Sequence, residues 1–310
     1  MQHGDFQHQA LIYHGPQDYL AGTVPFLREG LEAGQPLLVA VGPGQTELLE
    51  AELGGDREAI RFVDMRALGR NPASIIPLWR EFLDAAGGQP VRGIGEAVWA
   101  SRSQAALEEC RRHEALLNVA FDAGPGWDLL CPYDAASLGD EIIEKVANSH
   151  PLLCRHGRCE HSPSFEMAPD VFAGELSPPA ATPRVLPFEV ADLAEVRRLV
   201  ATAAAQEGMD DVAVADLVTA TSELAANSVM HGGGSGILRL WREEGRLLAE
   251  VEDRGRIEDQ LVGRTRPDVS QEGGRGLWLA NRLCDLVQIR SGARGTTVRL
   301  HLLAREAAYV

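Results

Sequence analysis

The stretch Ser222–Gly232, SELAANSVMHG, decides how the second half of the chain folds. It places a carboxylate at Glu223, a carboxamide at Asn227 and an imidazole at His231, each four residues after the last. On a helix this spacing aligns the three polar groups on one stripe, while the aliphatic residues between them face a sheet. A solvated helix face gives the same pattern. The interpretation therefore depends on the segments that follow.

A strand signal follows at Glu250–Gly255, EVEDRG. Asp253 ends this strand, and a carboxylate there can accept a hydrogen bond from an exocyclic amine. Gly255 has no Cβ and therefore lets a flat base approach the backbone. Together these two residues predict a position for a base at the end of the strand.

Two later segments carry groups that can bind a nucleotide: backbone N–H groups for phosphate in one, and side-chain hydroxyls in the other. Glu272–Asn281, EGGRGLWLAN, opens a predicted helix with Gly273, Gly274 and Gly276, and the N–H groups at a helix N-terminus bind phosphate. Gly295–Val298, GTTV, begins the last strand with two hydroxyls. Each segment alone is common, but their order along the chain predicts a nucleotide site.

In this order the segments resemble the GHKL ATPases, which include histidine kinases, DNA gyrase and heat-shock chaperones. The resemblance covers nearly all of residues 184–303 and is closest to the anti-sigma-factor serine kinases of the RsbW and SpoIIAB type. ELAANSVMHG resembles their N box, DRG their adenine-binding box and GGRGLWLAN their phosphate-loop box. The fold implied is an α/β sandwich with helices over one face of a mixed, mainly antiparallel sheet. One departure is Ser228, where that family usually has alanine.

The resemblance also implies ATP and Mg²⁺ and gives each residue a role. Glu223 would be the general base that activates an attacking hydroxyl, and Asn227 would ligate Mg²⁺ at the phosphates. Asp253 would hold the adenine amine, with Thr296 near the ring. The other ATP-binding residues implied are His231, Gly255, Gly273, Gly274, Arg275, Gly276 and Leu277. Residues 257–272 would form a mobile lid.

The N-terminal region alternates short apolar runs with helical patterns, which predicts a three-layer, mostly parallel α/β sheet. HQALIYHGPQDYL, GEAVW, LLCPYD and ANSHP resemble the MEDS sensory domain, named from methanogens and the regulator DcmR, over residues 6–153. That family implies a RecA-like sheet without a P-loop. HGPQDYL fills the first strand-to-helix turn without a GK[ST] signature, so we expect no triphosphate there.

A small molecule or a partner is expected instead at the carboxyl ends of these strands, where open α/β sheets bind ligands. The candidate contacts are His14, Glu96, Trp99, Tyr133 and Asp134. For each of them, a buried or capping polar group is the alternative interpretation.

Proline content marks the boundary between the two regions. Residues 162–184 contain five prolines and no apolar period, which is typical of a linker. We expect a sensory domain at 1–160, a linker at 161–184 and a kinase domain at 185–310.

A short segment before the linker is rich in potential metal ligands. CRHGRCEH carries Cys154, His156, Cys159 and His161. Four nitrogen and sulfur ligands would satisfy zinc, although the spacing is tighter than in familiar zinc sites. Metal binding or redox sensing is one interpretation of this segment, and the interpretation we favour is a flexible, reduced tail.

Bulk properties exclude some functions. The net charge of −16 argues against a nucleic-acid binder. The sequence has no apolar run long enough to cross a membrane and no signal-peptide pattern at its start. Five cysteines without a regular framework fit a reducing compartment, which predicts a cytoplasmic protein.

The sequence therefore predicts a signal-responsive anti-sigma regulator. Its ATP-dependent serine/threonine kinase domain would phosphorylate an anti-anti-sigma (STAS) partner and bind a sigma factor. The sequence does not decide whether the protein is a monomer or a homodimer. One alternative is a partner-binding switch that ATP gates without phosphate transfer. Another is an orphan sensor histidine kinase, because His113 precedes Glu114 in RRHEALL. That histidine lies far from the ATP region, and we expect it to be an ordinary surface residue.

Overall fold

The computed structural model describes residues 6–123, 126–167, 170–267 and 274–304. The chain divides into two compact units, Met1–Val171 and Phe172–Val310, and each has its own sheet. Among the described residues, no helix combines the length and the apolar character needed to cross a membrane.

Unit 1 alternates strands and helices. Its strands are β1 (Gln7–Tyr13), β2 (Leu37–Val41), β3 (Ile60–Asp64), β4 (Arg92–Gly95), β5 (Asp128–Asp134), β6 (Leu152–Arg155) and β7 (Arg158–His161). Its α-helices are α1 (Gly15–Glu32), α2 (Pro43–Leu53), α3 (Met65–Leu68), α4 (Ile75–Ala86), α5 (Gln104–Phe121) and α6 (Asp140–Ser149). The strands lie in the order β3-β2-β4-β5-β1-β6-β7, and every pairing is parallel except that of β6 with β7. The predicted mostly parallel sheet is confirmed.

Apolar residues cover both faces of this sheet, as three layers require. On one face, Leu27 of α1 and Leu49 of α2 pack into a core with Ile94 of β4. The neighbouring Gly93 points to the other face, where a Cβ would meet the ring of Trp79 on α4 at 2.6 Å. The glycine therefore lets the largest side chain of α4 lie directly on the strand.

The Cys154–His161 segment differs from its predicted structure. It forms the antiparallel hairpin of β6 and β7, in which Cys154 pairs with Cys159 and the two form a disulfide. His156 and Gly157 connect the strands with φ values of 49° and 74°, the geometry of a two-residue type I′ turn. The prediction of a flexible, reduced tail is wrong. Because the sulfur atoms of Cys154 and Cys159 are bonded to each other, neither is a free thiolate that could bind zinc.

His113 also differs from the prediction. It lies on α5 and is 1% exposed, so it is a buried residue and not a surface one. The polar residues around it in the sequence suggested solvent, but α5 is covered on more than one side and buries charged residues too, among them Glu109 and Glu114.

Unit 2 is a five-stranded sheet with helices. Its strands are β8 (Arg184–Glu189), β9 (Ser235–Glu243), β10 (Arg246–Asp253), β11 (Leu286–Gly292) and β12 (Gly295–Leu303). Its α-helices are α7 (Leu193–Gln206), α8 (Asp211–His231) and α9 (Arg275–Leu283). The strand order is β11-β12-β10-β9-β8, and all the described pairings are antiparallel. Helix α8 buries Leu217, Leu224 and Ala225 and contacts three strands.

Strand β8 was not predicted, and it contains Pro187. It forms the edge of the sheet, where a residue without an N–H is tolerated. Part of the Pro-rich segment also lies on unit 2. The Phe172 carbonyl accepts a hydrogen bond from Ser291 N, and the Ser177 carbonyl accepts one from the Arg299 guanidinium.

Candidate nucleotide-binding site

A cavity of about 300 Å³ lies in unit 2, between α8, the end of β10, the start of β12 and the first turn of α9. It brings together most of the residues that the sequence predicts for ATP. Those lining it are Asn227, His231, Asp253, Gly255, Gly274, Leu277 and Thr296. They come from four separate elements, so the fold, and not sequence proximity, assembles them.

Asp253 is held in place by hydrogen bonds to both of its carboxylate oxygens. Ser228 Oγ donates to Oδ2 over 2.6 Å, and the Gly255 N–H donates to Oδ1 over 2.7 Å. Thr296 pairs with Asp253 across the strands and donates from its hydroxyl to the Gly255 carbonyl over 2.9 Å. Each carboxylate oxygen has a second lone pair, so Asp253 can still accept from a ligand amine.

Gly255 is needed where the chain leaves β10. A Cβ there would lie 2.9 Å from the His231 carbonyl and 3.0 Å from Asp253 Oδ1. The end of α8 therefore lies directly against the DRG turn. The Arg254 N–H donates to the Gly232 carbonyl over 3.1 Å, which fixes the two segments together.

Glu223 and Asn227 meet the start of α9 at Gly276. A Cβ on Gly276 would lie 2.9 Å from Asn227 Nδ2 and 3.1 Å from Glu223 Oε2. Both side chains are half-buried, whereas His231 at the end of the stripe is exposed. The predicted polar stripe therefore faces the glycine-rich helix start, and only its last member faces solvent.

The first turn of α9 presents backbone N–H groups toward the same region. Gly274 precedes the helix with a φ of 76°, a conformation that glycine adopts readily. Arg275 follows it and is exposed. Gly273 lies outside the described residues, as do residues 268–272 of the predicted lid.

Hydrogen bonds attach the described part of that loop to the rest of unit 2. The Ile257 N–H donates to Ser291 Oγ over 2.8 Å, and Asn281 Nδ2 donates to the Gly263 carbonyl over 3.0 Å. The loop contributes Ile257 and Val262 to the cavity wall. With Leu224, Val251 and Val298 they give the cavity apolar sides that suit a planar base.

The residues present therefore fit an adenine nucleotide. Apolar walls, a carboxylate acceptor and the N-terminus of a helix all line the cavity. An amide oxygen is among the ligands that Mg²⁺ accepts, and Asn227 lies near that helix start.

The candidate sensory contacts of unit 1 fall into two groups. Glu96 is buried after β4, where Gly42 N donates to its Oε2 over 3.2 Å and Gln45 Nε2 to its Oε1 over 3.3 Å. Its pKa is raised to about 7, chiefly because burial disfavours the charged form. Two guanidinium groups lie over the Trp99 ring, that of Arg102 3.5 Å and that of Arg66 4.3 Å from its centroid.

His14 and Asp134 lie at the same edge of the sheet as Glu96, after β1 and at the end of β5. His14 is exposed, and its N–H donates to Asp18. Tyr133 lies apart from them. It is buried and lines a different cavity with Glu114, because alternate residues of β5 face opposite sides of the sheet.

The fold and the candidate site of unit 2 resemble those of the GHKL class. Residues 186–302 match the model of the histidine kinase-like ATPase domain. Residues 7–151 match the model of MEDS, the methanogen/methylotroph, DcmR sensory domain. The two matches agree with the sequence resemblance, which expected similarity to a MEDS domain in the N-terminal region and to a histidine kinase-like ATPase domain in the C-terminal region.

One curated relative is the transcriptional repressor DcmR of Methylorubrum extorquens, 32% identical over 152 residues. The match spans 46% of this chain and 57% of that protein, so the chain covers little more than half of its relative. Among solved structures, the RsbU and RsbW domains of Rv1364c from Mycobacterium tuberculosis match 41% of this chain and 34% of that chain at 26% identity, with a TM-score of 0.31. The cytoplasmic domain of EssC matches 47% of this chain and 29% of that chain at 16% identity, with a TM-score of 0.27.

Sequence reasoning missed the part played by Ser228, which was treated as a neutral exchange for alanine. Its hydroxyl is buried between α8 and Asp253. It also missed the two aliphatic lid residues, Ile257 and Val262, because a polar loop gives no periodic signal.

Proposed function

We propose that the C-terminal domain is an ATP-dependent protein kinase that phosphorylates a serine or threonine of an anti-anti-sigma (STAS) partner. In the alternative state the same domain binds a sigma factor. The MEDS domain receives a small-molecule signal and biases the choice between the two states.

The observation that supports this proposal is the approach of Glu223 and Asn227 to Gly276 at the start of α9. Asp253 also lines the cavity. A nucleotide with its base at Asp253 has its phosphates toward the N–H groups of α9, which favour negative charge. Glu223 is then the carboxylate at the phosphate end, where a partner's hydroxyl arrives.

Each side chain has a separate task in the reaction. Asn227 would hold Mg²⁺, which supplies positive charge to the phosphates. Glu223 would accept the proton of the attacking hydroxyl as its oxygen bonds to the γ-phosphorus and the bond to the β–γ bridging oxygen breaks. Asp253 and the apolar walls orient the base and take no part in proton transfer.

The buried position of His113 disfavours the orphan histidine kinase. A phosphorylated histidine must reach the γ-phosphate, and this imidazole is 1% exposed within unit 1. The partner-binding switch remains the alternative to test against the kinase.

The experiment is to incubate the full chain with Mg²⁺ and ATP labelled in the γ-phosphate, together with STAS proteins from the same genome. Acid-stable label on a serine or threonine of one partner supports the proposal. If no partner is labelled while ATP still changes partner affinity, the switch replaces the kinase. Acid-labile label on this chain would favour a histidine kinase instead.

A further inference from the structure

Four buried side chains of unit 1 converge away from the carboxyl edge of the sheet. They are His8 of β1, Glu114 of α5, Cys131 of β5 and His150 at the end of α6. One ligand atom from each lies within 4.8 Å of the others. All four are at most 3% exposed.

The distances within this cluster suit a coordination sphere. His8 Nε2 and His150 Nε2 lie 3.2 and 3.4 Å from Glu114 Oε2, and Cys131 Sγ lies 3.4 Å from His8 Nε2. Ligand atoms about 2.0–2.3 Å from a tetrahedral ion are separated from each other by roughly 3.3–3.6 Å. The three separations given above are close to these values, and the remaining pairs of ligand atoms lie within 4.8 Å of each other.

Hydrogen bonds outside the cluster orient both imidazoles. Asn118 donates from Nδ2 to the carbonyls of Glu114 and Ser149, so its Oδ1 is the acceptor for His8 Nδ1 at 3.0 Å. His150 Nδ1 donates to the Val146 carbonyl over 2.9 Å. With the proton on Nδ1 in each ring, both Nε2 lone pairs point into the cluster. Such outer hydrogen bonds are the usual partners of metal-binding histidines.

This arrangement leaves the inner atoms poorly satisfied by protein alone. With the protons on Nδ1, no hydrogen bond satisfies the buried Glu114 Oε1 and Oε2 or His150 Nε2 among the residues that the structure describes. Glu114 Oε2 lies within ion-pair distance of both Nε2 atoms, and an ion pair would need a protonated imidazole. Two imidazole lone pairs beside a carboxylate repel one another unless a proton or a cation lies between them. A single cation would satisfy the imidazoles, the carboxylate and the thiol sulfur together.

We propose that His8, Glu114, Cys131 and His150 form a binding site for one divalent transition-metal ion that accepts nitrogen, sulfur and oxygen ligands, such as Zn²⁺, Co²⁺ or Fe²⁺. On binding, the Cys131 thiol loses its proton to solvent and binds as the thiolate. Hard cations such as Ca²⁺ and Mg²⁺ are excluded, because they prefer oxygen ligands.

A second cavity gives the ion a route from solvent. Its volume is about 390 Å³, and Glu114 and Tyr133 form part of its wall. Toward its outer part lie the exposed side chains of Arg111 and Glu141. A small molecule in this cavity would reach the Glu114 side of the ion, which would give the sensory domain a chemically defined place to detect it.

The test is to remove metals from the folded full chain with a chelator and to titrate it with Co²⁺, a spectroscopic substitute for Zn²⁺. We expect one equivalent to bind, with a thiolate-to-cobalt charge-transfer band and the visible bands of a four-coordinate ion. Zn²⁺ should displace it and raise the unfolding temperature of unit 1.

Variants locate the site. Cys131→Ser should abolish the charge-transfer band, and His150→Gln should weaken binding at least about 100-fold, more than the loss of an outer partner costs. The matched control is Cys110→Ser, which alters another buried thiol of unit 1 and should keep the wild-type spectrum. A double replacement of the disulfide, Cys154→Ser with Cys159→Ser, should also keep it.

Two results would overturn the proposal. One is that the folded wild-type chain binds no stoichiometric Co²⁺ or Zn²⁺, which would make the cluster a protonated histidine–glutamate network. The other is a charge-transfer band that persists in Cys131→Ser or disappears with the disulfide cysteines. If Cys131→Ser does not fold, the wild-type spectrum and His150→Gln still decide between these outcomes.

Discussion

The hydroxyl of Ser228 donates a hydrogen bond to Asp253 Oδ2 over 2.6 Å and so joins α8 to the end of β10. Ser228 is buried, and its Oγ also lies 3.1 Å from the Leu224 carbonyl oxygen. This contact links the helix that carries Glu223 and Asn227 to the carboxylate proposed to hold the base. The residues proposed to bind adenine and those proposed to bind Mg²⁺ and the phosphates are therefore joined through Ser228.

Replacing Ser228 with alanine should weaken ATP binding modestly. The variant removes a hydrogen bond that fixes Asp253, a loss of about 1 kcal/mol or roughly fivefold in affinity. Isothermal titration with Mg-ATP measures it. The control is Ser222→Ala on the same helix, whose hydroxyl bonds to the Val218 carbonyl. Equal affinities for the two variants would mean that Ser228 does not position Asp253.

Asp253→Asn should weaken ATP binding more strongly. The change removes the charge from the acceptor and presents an N–H₂ group to the adenine amine unless the amide flips. The expected loss is about 1.5–3 kcal/mol, the range for a hydrogen bond to a charged group. Titration with Mg-ATP is again the measurement, with exposed Asp211→Asn at the start of α8 as the control. Unchanged affinity would contradict the position assigned to the base.

Gly276→Ala tests the contact between α8 and α9. The added methyl group would lie 2.9 Å from Asn227 Nδ2 and 3.1 Å from Glu223 Oε2, so both side chains must move. We expect weaker Mg-ATP binding and slower phosphate transfer. Gly292→Ala is the matched control, because a Cβ there meets nothing within 4 Å. If the two alanine variants behave alike, the close approach at Gly276 does not matter for the site.

The nucleotide site could be predicted largely from sequence, because its groups lie on short contiguous motifs. Asp253, Gly255 and Thr296 line the cavity as expected. Ser228 was undervalued since its partner is 25 residues away, and no local spacing reveals that α8 ends against the DRG turn. Tyr133 was placed with Glu96, although the alternation of side chains along β5 turns it to the other side of the sheet.

Two features of unit 1, a buried side-chain cluster and the β6–β7 hairpin, were not predicted from the sequence. The cluster of His8, Glu114, Cys131 and His150 is assembled from two strands, one helix and the end of another helix, so no motif spacing connects its members. The β6–β7 hairpin was missed because β7 is exposed along its whole length and lacks alternating apolar residues. Its turn signal, His156 followed by Gly157, was present in the sequence and was not used.

Glu96 should make the stability of unit 1 depend on pH. Its pKa in the folded chain is about 7, raised first by burial from an ordinary value of 4.5. Because the folded state holds the proton more tightly, the free energy of unfolding should fall as the pH rises from 4.5 through about 7, by up to about 3 kcal/mol.

The comparison for this effect is Glu96→Gln, which is neutral at every pH and similar in size. Calorimetry of the full chain at several pH values measures the unfolding of unit 1. Added ATP should shift the unfolding transition of unit 2 and so identify it. The variant should lose the pH dependence of the unit 1 transition in that window. If the stability of unit 1 falls with pH equally in wild type and variant, the pH dependence belongs to another titratable group.

Phosphate transfer by Glu223→Ala tests the central claim most directly. With a cognate STAS partner and γ-labelled ATP, the variant should bind Mg-ATP as wild type does and transfer phosphate about 10²–10⁴-fold more slowly, the usual contribution of a positioned base. Asn227→Ala should instead lose metal-dependent ATP affinity, and exposed Glu195→Ala on α7 should match wild type in both measurements. Transfer by Glu223→Ala at the wild-type rate would contradict the account.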